Sequence, residues 1–203
     1  ANLDNEPLFF SSVLGHTQFS VPRSAIANAG GFPMDIIMTL DLSGSMEKEG
    51  RIEALQDAAP TFVDVVEDVG DEDRIGVFGY GAILGKYDPE AEGHNGTPYV
   101  NTPASLYPEK EGETWVGVQE SSLTDNFDLL RNGVLSAKTL LADKYNSYTP
   151  TGAAIRDSAH YLNEEARDEA DKFIILMSDG HANRPRGNGD GYALEMADYA
   201  AGL

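Results

Sequence analysis

The sequence predicts an α/β fold: a doubly wound, mostly parallel sheet flanked by helices, with one long surface insertion. Three observations predict it. Short continuous apolar runs, MDIIMTL at 34–40 and FIILM at 173–177, read as strands buried on both faces, as central parallel strands are. Between such runs lie segments with apolar residues at spacings of three and four, the pattern of amphipathic helices. Strands and helices therefore alternate, and in sheets of this class sites form at the carboxyl ends of the strands.

The elements follow in order. Residues 1–33 are a weakly patterned lead-in, in which QFSVPRSAIANAGGFP holds one strand and then turn residues. It is expected to pack on the main domain, 34–203, as an edge strand. Met34–Asp41 is the first buried strand. In Arg51–Asp68, residues Ile52, Leu55, Ala59, Phe62 and Val66 share one helix face. Pro60 interrupts that pattern, and an interior proline costs about 3 kcal/mol, so a bend is expected near 56–60. RIGVFGY at 74–80 is a second strand. Residues 81–113, rich in Gly, Pro, Asn and Glu, are too long for an ordinary connection and read as an elaborated insertion. TWVGV at 114–118 closes it as a short strand. Thr124 is placed as the cap of a helix running to about Ala142, with Phe127, Leu130, Val134 and Leu141 on one face. Thr149 or Thr151 caps the next helix, whose apolar stripe is Ile155, Ala159, Leu162 and Ala166. Phe173–Ser178 is a third buried strand, ending at Asp179-Gly180. The Gly-rich loop RGNGDG leads into a last helix, YALEMADYAAGL. A further edge strand would be expected where the sequence stops at Leu203.

Composition narrows the function classes. Hydrophobic residues make up 41% of 203, enough for one good-sized core. With 34 acidic and 14 basic residues the net charge is −20, which repels nucleic acid and anionic membrane surfaces and attracts cations. The plainer reading of that charge is a solvated surface. The cysteine count is zero, which removes disulfides and Cys-ligated zinc. No apolar stretch approaches the roughly 20 residues that span a bilayer, and ANLDNEPLFF does not read as a signal peptide. The expectation is no direct membrane insertion in this chain, with any signal or anchor outside it.

One constellation carries chemistry. DLSGS places Asp41, Ser43 and Ser45 at alternate positions just past the first buried strand. YTPTG offers Thr149 and Thr151, and MSDG offers Asp179 at the end of the third strand. These are oxygen donors, which suit hard cations such as Mg²⁺ or Ca²⁺. Two carboxylates with neutral hydroxyls leave a bound cation able to accept one more carboxylate from outside. For Asp179 the alternative is a turn residue before Gly180, and for Ser43 and Ser45 the alternative is capping the helix near 51. His16, His94, His160 and His181 show no zinc spacing. LSGSM is no nucleophile elbow, and RGNGDG lacks the lysine of a phosphate loop. Asp157 reads as part of a solvated helix face. Trp115, Tyr99 and Tyr107 read as pins for the long insertion.

DLSGS, the threonine of TPTG and the strand-terminal SDG, in that order, resemble the von Willebrand factor A domain and its metal-ion-dependent adhesion site. The resemblance spans about 34–203 and implies metal ligands at Asp41, Ser43, Ser45, Thr149 and Asp179, with Thr151 left to cap the helix. It implies Mg²⁺ (or Ca²⁺ or Mn²⁺), and a protein partner offering an Asp or Glu carboxylate. The expected function is a non-enzymatic adhesion or assembly module on the cell surface, in the cell envelope or in a pilus. The VPRSAIA lead-in is similar to pilus-associated proteins of the TadG-like type. Three other readings stand beside it. One is an intracellular assembly factor working with an AAA+ ATPase. Another is a structural subunit whose site a neighbour fills. The third is a metal-dependent hydrolase, with Glu47, Glu49 or His181 as its base.

Overall fold

Strand β1, Met34–Asp41, is paired in parallel on one side with β2, Arg74–Ile83, and on the other with β5, Asp171–Met177. A computed structural model of the chain describes residues 32–203, apart from 71, 92 and 109–111. The lead-in expected at 1–33 lies almost wholly outside the described residues. The sheet order is β3-β4-β2-β1-β5, where β3 is Thr97–Pro98 and β4 is Trp115–Thr124.

The doubly wound, mostly parallel sheet is corrected here. Only the two pairings of β1 are parallel; β4 runs antiparallel to both β2 and β3. A parallel neighbour needs a crossover, usually helical, whereas an antiparallel one needs only a return of the chain. The segment after β2 holds no crossover helix among its described residues, so the chain comes back beside the strand it left. Strand β2 also runs on to Ile83, into the start of the predicted insertion, and β4 runs on to Thr124, beyond the short strand expected at 114–118.

Period-two alternation along β1 feeds two cores. Ile36, Met38 and Leu40 join one cluster, with Ile52, Leu55, Ala59, Val63 and Val66 of helix α1, Arg51–Val69. Ile37 faces the other way, onto Phe78, Tyr99, Tyr161 and Leu162. Tyr161 and Leu162 belong to α3, Thr151–Glu165. Helices thus cover both sheet faces, and each large apolar side chain removed from water contributes about 2 kcal/mol. Helix α1 is continuous through Pro60 rather than split. The Thr61 hydroxyl donates to the Asp57 carbonyl at 2.8 Å.

The helix expected from Thr124 to Ala142 is not formed. Its place is taken by a single turn, α2 (Phe127–Leu129), capped by Asn126, whose Oδ1 accepts from Leu129 N at 3.0 Å. A wide turn, Leu130–Val134, follows and ends at Leu135. The Thr139 hydroxyl then sits 2.9 Å from the carbonyls of Gly133, Val134 and Ser136, offering them a partner other than a continuing helix. Helix α4, Gly189–Ala201, packs on α3 so closely that a Cβ at Gly152 would lie 2.4 Å from the Tyr192 ring.

Asp157 corrects another expectation: it is fully buried, not on a solvated face. Arg156 beside it donates from Nε and Nη2 to its two oxygens at 2.7 and 2.9 Å, and further to Trp115 O and Tyr192 Oη. Thr102 Oγ1 and Gly117 N each complete Asp157 at 2.7 Å. The Tyr107 ring lies 3.9 Å from the guanidinium carbon. Residues of the long segment thereby satisfy a buried ion pair on α3.

Candidate functional site

Parallel pairing aligns the carboxyl ends of β1 and β5. Leu40 is opposite Met177, so Asp41 and Ser178-Asp179 leave the sheet side by side. Asp41 is fully buried. Its Oδ1 accepts from Ser43 N at 3.0 Å and its Oδ2 from Ser178 Oγ at 2.8 Å. Beyond it the chain tightens into a single turn, Gly44–Glu47. A Cβ at Gly44 would sit 3.2 Å from Ser147 Cβ, so the turn lies close against the 143–149 loop. That loop is also tied to it by Asp143 N donating to Ser43 O and Lys144 N to Leu42 O, both at 3.3 Å.

The turn brings the serines into line. Ser43 Oγ lies 3.0 Å from Ser45 Oγ, and Ser45 Oγ donates to Asp179 Oδ1 at 3.0 Å. Four of the five residues singled out from sequence, Asp41, Ser43, Ser45 and Asp179, therefore form one connected polar group. Thr149 is buried nearby on the loop, but its bonds go to Asn183: its N–H to Asn183 Oδ1 at 2.9 Å, and its hydroxyl 3.4 Å from Asn183 Nδ2. Thr151 is the first residue of α3 and does not cap it. The N-cap position is Pro150, and the Thr151 hydroxyl is buried without a hydrogen-bond partner. Tyr80 Oη, beside Asp41, Ser178 and Thr151, is likewise buried and unbonded. Burial, then the Asp41 carboxylate, pushes the Tyr80 hydroxyl well up, so it stays protonated.

The two carboxylates differ in charge balance. Asp41 meets neutral donors alone among the bonds of the described residues. Asp179, its side chain almost wholly buried, is met by Arg51 Nη1 at 2.5 Å, while Arg51 Nη2 reaches Glu49 at 3.1 Å. Arg51, Ser178 and Tyr80 were not legible as site residues. Tyr80 is opposite Asp41 in the β1–β2 register and Ser178 follows the last residue of β5, positions that do point to the site; nothing in the local sequence singles out Arg51.

The donor set fits a hard divalent cation: two carboxylates, two serine hydroxyls and two orphaned buried hydroxyls, all oxygen. A buried hydroxyl without a partner carries a desolvation cost that a cation or water would relieve. No three His, Cys, Asp or Glu side chains converge among the described residues, so the set is one of mixed carboxylates and hydroxyls. Glu49 is engaged by Arg51, and the exposed His181 has Nδ1 3.6 Å from Asp190 Oδ2.

No family model matches the chain, and no curated protein matches it. Solved structures do. The pilus adhesin SpaC from Lactobacillus rhamnosus GG, in its open conformation, is 19% identical over 75% of this chain and 15% of its own, with a TM-score of 0.46. The pilus adhesin RrgA from Streptococcus pneumoniae is 16% identical over 71% of this chain and 20% of its own, at 0.43. The adhesive tip pilin from Group B Streptococcus agalactiae is 15% identical over 71% and 45%, at 0.42. The chain thus spans less than half the length of each. No family model supports the resemblance to von Willebrand factor A domains, and the mixed sheet departs from the fold it implied. The resemblance, with the adhesion site named from it, is corrected on those findings.

Proposed function

We propose that this domain is a non-catalytic binding module that holds a divalent cation, Mg²⁺, Ca²⁺ or Mn²⁺, at the β1–β5 edge and takes a carboxylate from a protein partner there. The observation that carries this reading is the buried Asp41 carboxylate, met by neutral donors and linked through Ser43 and Ser45 to Asp179. The cation supplies positive charge to two anionic groups and an open position for a third. Asp41, Ser43, Ser45 and Asp179 hold it, together with a hydroxyl of the 149–151 loop, from Thr149 or from the orphaned Thr151. Arg51 now balances Asp179 and already shares its charge with Glu49, to which it turns when Asp179 is engaged. The setting proposed is the cell surface or envelope, in an adhesive or pilus assembly. No helix among the described residues is long and apolar enough to cross a membrane.

The test is thermal unfolding with each cation and with chelator, followed by binding of a peptide bearing an exposed Asp or Glu. Cation-dependent stabilisation that Asp41→Ala abolishes, with peptide binding that needs the cation, supports the reading. Absence of any shift at millimolar cation in a folded protein overturns it. Thr149→Ala and Thr151→Ala, measured side by side, assign the hydroxyl.

A further inference from the structure

Among the described residues three cations are buried, and two of them have a carboxylate of their own. Lys144 meets Glu120 at 2.8 Å, and Arg156 meets Asp157 at 2.7 Å. Arg184 is buried too, but no Asp or Glu pairs with it among the described residues. Its hydrogen bond runs from Nη1 to the neighbouring Asn183 carbonyl at 2.7 Å. Its guanidinium carbon lies 3.5 Å from the centre of the Tyr148 ring and 5.5 Å from that of Trp115. Those two rings meet edge to face at 5.6 Å. Glu113, two residues before Trp115, is taken by Lys86 at 2.5 Å. In a chain of net charge −20 the missing counter-ion does not reflect a shortage of carboxylates.

The same cluster holds a second group without a partner. Trp115 is 4% exposed, and its Nε1 has no hydrogen-bond acceptor. Guanidinium and indole N–H groups only donate, so neither satisfies the other. Trp115 packs on Ala153 in the first turn of α3, where the helix end adds positive potential. The cluster is built of donors and lacks an acceptor. Its place is set by the site loop. Asn183 N donates to Thr149 O at 3.0 Å, and Thr149 N donates to Asn183 Oδ1 at 2.9 Å. Tyr148 and Arg184 are the residues next to that pair, one on each segment. Neighbouring Cα atoms are about 3.8 Å apart, so the cluster borders the hydroxyl-bearing loop of the cation site.

We propose that Arg184, held by Tyr148 and Trp115, is a second anion-binding position beside the cation. The partner is then an acidic segment with two carboxylates, one for the cation and one for Arg184. This rests on the cation site proposed above. Packing alone does not account for the missing charge: Arg156 also stacks on a tyrosine, Tyr107, and it has Asp157. The planar fork of a guanidinium matches a carboxylate with two parallel bonds. Tyr148 is 40% exposed, so the cluster reaches the surface. The net charge repels free anions, so an acid arrives at Arg184 tethered to one that the cation has captured. The rim thereby distinguishes a pair of acids from a single one.

The experiment uses the full chain with whichever of Mg²⁺, Ca²⁺ and Mn²⁺ raises its Tm most. The probes are a Gly-Ser peptide bearing one Asp and the same peptide with a second Asp two or three positions on. Trp115 is the sole tryptophan, so its fluorescence reads the cluster directly. The better two-acid peptide should bind about tenfold tighter than the one-acid peptide, the scale of one charge-assisted hydrogen bond, and it alone should shift the Trp115 emission. Both effects should vanish in Arg184→Gln, with a cation-dependent rise in Tm showing that the variant is folded. Arg184→Lys keeps the charge without the fork and should lose most of the advantage. Equal affinity for the two peptides in a protein that the cation stabilises overturns this inference and leaves the cation site standing. An advantage that persists in Arg184→Gln overturns it as well. No stabilisation by any cation overturns the cation site, and this inference with it.

Discussion

Strand β1 carries a buried aspartate near each end, and the two are treated in opposite ways. Asp35, near the start, is gripped by two guanidinium groups. Arg74 reaches its oxygens at 2.9 and 2.6 Å, and Arg167 adds a side-chain bond and its backbone N–H, both at 2.8 Å. Burial alone would raise its carboxyl; the arginines outweigh that and hold it at about 2. Asp41, at the far end, receives a backbone N–H and a serine hydroxyl. One end is balanced from within the fold and the other is not, although both lie on one strand and both are fully buried. A buried carboxylate fully paired by its own chain is structural. One left to neutral donors is available to a cation from outside.

The largest effect that would test this contrast is at Asp35. Asp35→Ala strands Arg74 and Arg167, and because each is partly exposed the loss falls at the lower end for a broken buried pair, about 3 kcal/mol in chemical denaturation. Its pH signature follows from the sign of the shift. The folded value, about 2, lies below the ordinary one of about 3.9, so the contribution is present above about pH 4 and lost as pH falls towards 2. Asp35→Asn should flatten the acid limb of the stability profile over that window, and an unchanged limb would break the comparison. Next is the cation itself: at ~100 times its dissociation constant it should add about 2.7 kcal/mol, seen as a rise in Tm that Asp41→Ala removes. Without cation, Asp41→Ala should cost less than Asp35→Ala, because it forfeits two hydrogen bonds from neutral donors and strands no buried charge. Below the cation's own effect comes Arg51→Ala, which frees Asp179 and should tighten cation binding about tenfold, or ~1.4 kcal/mol, by titration calorimetry. Weaker binding would show that Arg51 supports the site rather than competing with the cation.

What the sequence disclosed follows from which physical signals are local. Strands β1 and β5 and helix α1 declared themselves through apolar runs and three-four spacing, but β5, expected to be buried on both faces, leaves Phe173 and Leu176 exposed. The polar half of β4, Gln119–Thr124, did not, because several of its side chains are partly or fully exposed and carry no alternation strong enough to mark a strand. Its direction was hidden too: periodicity records that a strand exists, not whether the chain returned or crossed over to reach it. The grouping of Asp41, Ser43, Ser45 and Asp179 was legible because alternate oxygen donors at one strand end need a partner at the next. Arg51 and Glu120 were not, since a single charged residue looks the same in sequence whether it meets water or a carboxylate 128 or a lysine 24 positions away.

The pairing of Arg156 with Asp157 has a consequence for how this chain can change over generations. Its two charges depend on Thr102, Trp115 and Gly117, and its guanidinium on the Tyr107 ring. A long loop is ordinarily free to shorten, since its length matters little to stability. This one is not free, because a deletion that takes out Thr102, Tyr107 or Trp115 would leave part of the buried pair without its partner. The segment is entrenched: lineages can lengthen it or alter its tip, but to lose it they must first replace Arg156 and Asp157 together.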